Sequence, residues 1–214
     1  MKQTNRFSRP LLLVTILSCT TLLGACAPLL VGGAVVGGAL VVTDRRTSGA
    51  QLEDQSIEFK ASSRLREALG DRGRVSVTSY NRMVLLTGEV SNDADKAAAE
   101  QAVARVDNVR ATVNELTVLG SGAFSSSLAN RSNDLIVSGK VKATLVDAKD
   151  LQANAFKVVT DRGVVYLMGR VTEREADRAS ELTRSINGVQ KVVKVFEVIT
   201  EAELANMRPA PEKK

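Results

Sequence analysis

The sequence predicts an α+β protein built as two tandem domains, each running αββαβ, with a three-stranded sheet that carries two helices on one face. Three observations predict it. The pattern V-x-L-x-G-x-V occurs at Val84 to Val90 and again at Val165 to Val171, an offset of 81 residues, and self-similarity at a fixed offset marks a repeated unit. Within each copy the apolar period passes from helical spacing to alternation and back. Capping and turn residues fall at the changeovers.

Each copy opens with a helix, because Ile57, Ala61, Leu65, Ala68 and Leu69 recur at helical spacing, as do Val137, Val141 and Leu145. Two strands follow, joined by tight turns at Tyr80-Asn81-Arg82 and Asp161-Arg162-Gly163, where Asn or Gly tolerates positive φ. A second helix begins at Thr172-x-x-Glu175, a capping box, and at the caps Ser91-Asn92-Asp93 in the first copy. The last strands run from Val109 to Leu119 and from Val189 to Ile199. Gly88 and Gly169 sit mid-strand, where glycine ordinarily weakens a sheet, which predicts that a helix or another backbone approaches closely there. The domains are then 56–119 and 133–199, joined by a Gly/Ser-rich linker at 120–132. A disordered tail, 200–214, follows, with room for a short helical start from Glu201.

Composition narrows the function classes. The 214 residues are 44% hydrophobic and 25% charged, an ordinary globular balance for one domain or two small ones. Histidine and tryptophan are absent and aromatics make up 3%, which excludes histidine acid–base and zinc chemistry and supplies little stacking for nucleobases. Three of the five excess positive charges lie in the first ten residues, a leader, so no nucleic-acid partner is expected. The paired carboxylates Asp93/Asp95 and Glu173/Glu175 are spaced i,i+2 and do not share a helix face. No P-loop, EF-hand or nucleophile-elbow pattern occurs. Catalytic residues, metal ligands and cofactors are therefore predicted to be none, and the sequence leaves the oligomeric state open.

The leader has the build of a secretory signal. Met1 to Pro10 carries cations and no acid, and Leu11 to Leu23 is apolar. Leu23-Gly24-Ala25-Cys26 closes it and resembles the bacterial lipobox. The resemblance implies removal of 1–25 and acylation of Cys26 as the first mature residue. Cys19 lies within the leader, so Cys26 has no second thiol to pair with. Ala27 after the cysteine resembles the pattern for outer-membrane delivery, with the protein facing the periplasm. Leu29 to Val42 is apolar but only fourteen residues long, short of the roughly 20 that a helical span needs. Residues 26–55 read as a lipidated stem and polar tether, Asp44, Arg45 and Arg46 included.

The element order, the duplicated V-x-L-x-G-x-V and the later Gly188-Val189-Gln190-Lys191-Val192 together resemble the BON domain of bacterial periplasmic and outer-membrane proteins over residues 56–199. The first copy departs from the second motif at Asn108 and Thr112. With the lipobox and the run Thr172 to Ala176, the chain is similar to dual-BON outer-membrane lipoproteins. The resemblance implies binding of anionic phospholipid, chiefly through the first helix of the second domain, support of outer-membrane integrity, and enrichment at division sites.

The residues of that helix can be read independently. On a wheel of about 100° per residue, Val137, Val141, Thr144, Leu145 and Ala148 fill the core arc. Leu135 and Val146 fall together about a third of a turn away, beside Lys142 and Lys149, with Ile136 and Lys140 flanking the far side. An apolar excess bordered by lysines suits an anionic lipid surface; alternatively Leu135 and Ile136 staple the helix or pack on the other domain. The corresponding helix of the first copy shows mixed charge, Glu58, Arg64, Arg66 and Glu67, and one outward apolar residue, Phe59. The first domain sums to zero charge and the second to +2. Alternation in the later strands sends Tyr166, Met168, Val193 and Val195 to the face away from the helices. That face either packs on the first domain, which offers Met83 and Leu85, or receives an envelope or division protein, making the chain an adaptor.

Overall fold

A computed structural model describes residues 44–119 and 128–207. The leader, Cys26, the apolar stem, residues 120–127 and residues 208–214 lie outside the described residues. Helix α1 (Ser48–Leu69) starts where the Thr47 hydroxyl accepts the Ala50 N–H at 3.1 Å and stops at Gly70, whose φ is 54°. A short 3-10 turn (Gly70–Arg72) leads into β1 (Gly73–Tyr80), which pairs antiparallel with β2 (Met83–Val90) along its whole length. Helix α2 (Asp93–Ala104) is capped by Asn92, whose side chain accepts the Asp95 N–H at 2.8 Å. The chain then returns parallel to β2 in two pieces, β3 (Ala111–Asn114) and β4 (Thr117–Val118). Between them Leu116 turns into the core, and its N–H is accepted by the Asn114 side chain at 3.3 Å.

The second domain repeats the order with α3 (Leu128–Asp147), a 3-10 turn (Ala153–Ala155), β5 (Phe156–Asp161), β6 (Val164–Val171), α4 (Glu173–Arg184) and β7 (Lys191–Val198). Here the last strand is unbroken and pairs with all of β6. Helix α4 has the predicted capping box, with Thr172 and Glu175 each accepting a backbone N–H from the other. In both domains the two helices cover one sheet face: Val84, Leu86 and Val90 pack with Ile57, Leu65 and Val103, and Val165, Leu167 and Val171 pack with Val141, Leu145 and Ala179.

Two boundaries differ from the sequence expectation, and the short helical start for which the tail had room is present. The tether ends at Thr47, not Gln55, because the Thr47 cap starts a helix whose buried stripe begins with Asp54. Leu128 to Ser132, expected as linker, is the first part of α3. Glu201–Met207 is a helix, α5, with Leu204 buried. Thr200 and Glu203 exchange the same reciprocal hydrogen bonds as Thr172 and Glu175, at 2.7 and 3.1 Å. That segment of the tail therefore has its own cap and core contact.

The outward sheet faces close on each other. Tyr80 and Leu85 from the first domain and Tyr166, Met168 and Val195 from the second form one buried cluster, with Met83 and Val193 packed against it. Its rim is polar: Lys157 pairs with Glu58 at 2.9 Å, Arg162 with Glu89 at 3.5 Å, and the Arg162 guanidinium also donates to Thr117. The face on which the sequence left a partner protein open is thus occupied within the chain. Burial, reinforced by the charges of Glu115 and Asp161, pushes the Tyr166 phenol up to about 12, so it stays protonated near neutral pH.

Candidate functional site

Helix α3 is positioned from both ends of its core stripe. At its N-terminal half the Asp134 carboxylate accepts the Arg162 and Gly163 N–H groups of the β5–β6 turn, each at 2.8 Å. Asp54 does the same for Asn81 and Arg82 in the first domain, both at 2.8 Å. Burial would raise the Asp54 carboxyl, but the Arg82 N–H, the Ser79 hydroxyl, Arg46 and the Asn81 N–H outweigh it and hold it below its ordinary value. Sequence reasoning missed this pair of anchors. The signal was available, since placing Val137 on Ile57 sets Asp134 on Asp54. Farther along α3, Val137, Val141 and Leu145 are buried. Gly188, with φ 101°, lets the loop before β7 pass so close that a Cβ would stand 2.9 Å from Val137.

With that interior filled, Leu135, Ile136 and Val146 remain 74%, 56% and 69% exposed. Lys140, Lys142 and Lys149 are exposed as well. Helical spacing places Leu135, Lys142 and Val146 on one stripe, joined by Gly139 and by Arg131, whereas Lys149, expected on the same face, lies in the turn just past the helix end at Asp147. From Arg131 to Val146 the stripe runs about 22 Å along the helix. Ile136 and Lys140 lie about 100° and about 140° around from its centre. Leu135 and Ile136, for which stapling or packing on the first domain was the alternative, are both open to solvent, as is Val146. Arg131 was missed because it fell in the expected linker. At Gly139 a Cβ would meet nothing within 4 Å. Among the described residues, Arg131, Lys140, Lys142 and Lys149 enter no ion pair.

Two grooves flank the stripe. One, of about 350 Å³, is bordered by Lys142, Val146, Phe156 and Asp44. The other, of about 590 Å³, lies between the domains and is bordered by Arg131, Leu135, Ser138 and Arg74. The two strand glycines serve packing instead. A Cβ at Gly88 would stand 2.0 Å from the Arg74 carbonyl oxygen, and one at Gly169 2.3 Å from that of Ala155. Among the described residues no cluster of metal-ligating side chains occurs, and no helix is long and apolar enough to cross a membrane.

Two copies of one αββαβ module, closed sheet against sheet, define a tandem-domain protein whose chemistry lies on its surface. The BON domain model matches residues 53–120 and 133–200, and the chain belongs to the BON-domain family. It is 35% identical over 189 residues to Outer membrane lipoprotein DolP of Haemophilus influenzae, covering 87% of this chain and 95% of that one. It is 29% identical to the 21 kDa hemolysin of Actinobacillus pleuropneumoniae, covering 73% and 79%. It is 26% identical to Osmotically-inducible protein Y of Escherichia coli, covering 72% and 77%. The chain is a dual-BON protein similar to DolP, located at the outer membrane by a lipid anchor and facing the periplasm.

Proposed function

We propose that this protein is a non-catalytic module that rests α3 on anionic phospholipid and so supports the integrity of the outer membrane. The observation that carries the proposal is the exposure of Leu135 and Val146 on one stripe with Arg131 and Lys142, which enter no ion pair among the described residues, with Lys149 exposed just beyond the helix end. Burying an aliphatic side chain of this size contributes at most about 1.5–3 kcal/mol, and each cation at an anionic surface about 1 kcal/mol. The sum is a modest affinity, suited to a protein already held at the membrane. Acylation of Cys26 after loss of the 25-residue leader would hold it there, with α3 kept near lipid at high effective concentration.

The test uses the chain from Ala27 onward, which lacks the acyl groups. It binds vesicles containing phosphatidylglycerol and not vesicles of phosphatidylcholine alone, and binding weakens with salt and with Leu135→Glu. Binding indifferent to both would reject the proposal.

A further inference from the structure

The residues just before the first domain belong to the folded body. Arg45 and Glu175 are nearly sealed, with side chains 3% and 4% exposed. The guanidinium meets both carboxylate oxygens, at 2.7 and 2.8 Å, and also donates to the Arg170 carbonyl at 2.8 Å and the Gln152 side chain at 3.1 Å. Its neighbour Arg46 turns to the first domain. It pairs with Asp54 and Asp44, each at 2.8 Å, and lies 4.2 Å from the centroid of the Tyr80 ring, which belongs to the buried interdomain cluster. Two consecutive residues therefore grip the two domains.

The repeat shows that Arg45 completes the second domain. Glu175 stands at the third position of α4 and Asp95 at the third position of α2. Asp95 is paired by Arg72, the last residue of its own domain's 3-10 turn, at 2.9 Å. The matching turn of the second domain reads Ala153-Asn154-Ala155 and supplies no cation. Arg45 takes that post from outside the domain. Beside it, Asp44 borders the same groove as Lys142 and Val146 of the α3 stripe. The chain toward the anchor thus enters next to the surface read above as lipid-contacting. Cys26 lies 18 positions upstream, an extended reach of at most about 60 Å.

We infer that Asp44–Arg46 is an orienting clasp: it joins the two domains into one body and makes the anchoring chain leave beside α3, so that the anchored protein presents the Lys142/Val146 end of the stripe to the bilayer. The inference rests on the lipid-contact role of α3. It identifies the segment after the stem as the element that sets which surface faces the membrane, where composition alone shows a spacer.

The test places the lipidated chain in vesicles containing phosphatidylglycerol. A fluorophore at Gly139→Cys, a thiol unique once Cys26 is acylated, reports contact through a quencher on the lipid. Strong quenching is expected, falling at least threefold in Arg45→Lys, which keeps the charge without the fork, and in the double variant Arg45→Gln/Glu175→Gln, which removes both buried charges. The same substitutions in the unacylated chain should leave vesicle affinity within twofold. If both clasp variants, shown folded by circular dichroism, are quenched like the parent, the clasp is overturned while α3 contact stands. If the unacylated parent does not bind and the acylated parent is not quenched, the lipid-contact role fails and the orienting role with it.

Discussion

Helices α1 and α3 occupy the same post in their domains and differ in what they turn outward. Inward they match: each fills a sheet face with aliphatic residues at equivalent positions and anchors the following hairpin through a carboxylate, Asp54 or Asp134. Outward, α1 exposes Leu52 and Phe59, 68% and 74% open, on a stripe with Ser56, Ser63 and one cation, Arg66. Helix α3 exposes Leu135 and Val146 with two cations, Arg131 and Lys142, and a glycine, and a third cation, Lys149, follows just past its end. Leu52 corrects the sequence reading, which left Phe59 alone because it began the helix too late. Apolar exposure by itself therefore does not separate the two helices. The alternation of aliphatic and cationic side chains does. The interior constrains both copies alike, while the surface is free to specialise.

The largest expected effect sharpens the comparison at the two arginine–carboxylate pairs. Arg45→Ala strands a buried Glu175 and should cost about 3–5 kcal/mol in urea unfolding. Arg72→Ala also leaves a buried carboxylate, Asp95, but its arginine is 60% exposed, so water can enter the vacated place, and the loss should be smaller, about 1–3 kcal/mol. Equal losses would break the distinction between an internal and an imported partner. Next in size, Leu135→Glu should lower vesicle affinity by about tenfold or more, the equivalent of 1.5–3 kcal/mol, whereas Phe59→Glu should change it less than twofold; a larger loss at Phe59 would assign lipid contact to both helices.

Acid titration tests the Arg45–Glu175 pair further. Burial raises the Glu175 carboxyl, but the Arg45 hydrogen bonds, the Thr172 N–H and the charges of Arg45 and Arg174 prevail and hold it below its ordinary 4.5. A depressed native pKa contributes stability that is whole above the unfolded value and lost as pH falls through the native one. Unfolding midpoints should therefore drop below about pH 4.5, and the drop should flatten in part in Arg45→Gln/Glu175→Gln, the remainder belonging to Asp54 of the first domain, which is held low as well. The smallest effect is at Gly139, where open space admits a side chain. Gly139→Ala should raise stability by about 0.5–1 kcal/mol in thermal melts, and Gly139→Leu should tighten vesicle binding.

The fold was legible where local chemistry is repeated. The duplicated V-x-L-x-G-x-V lies on β2 and β6, and Thr172-x-x-Glu175 caps α4 as its spacing requires. Helix starts were less legible, since Ser48-Gly49 and the polar run at Asn130 to Ser132 have the composition of linkers although they are helical. Thr200-x-x-Glu203 repeats the capping-box spacing that identified α4 and went unread because the tail's charge and proline pointed to disorder. On α3 the wheel brought Leu135, Val146 and Lys142 together, the structure added Arg131, and Lys149 fell in the turn beyond the helix end. Arg45 was illegible for a different reason. Its partner lies 130 residues away, and nothing in the composition around Asp44 distinguishes a gripping arginine from a solvated one.

The mutual closure of the two sheets has a consequence for how the protein can be taken apart. Each copy serves as the lid of the other, so cleaving the chain between residues 119 and 128 and separating the halves would turn Tyr80 and Leu85 on one, and Tyr166 and Met168 on the other, from interior into outside. Either half alone would stick to detergent, vesicle or neighbour through a surface the intact molecule never offers, and adhesion of an isolated half to lipid would measure that wound as well as α3.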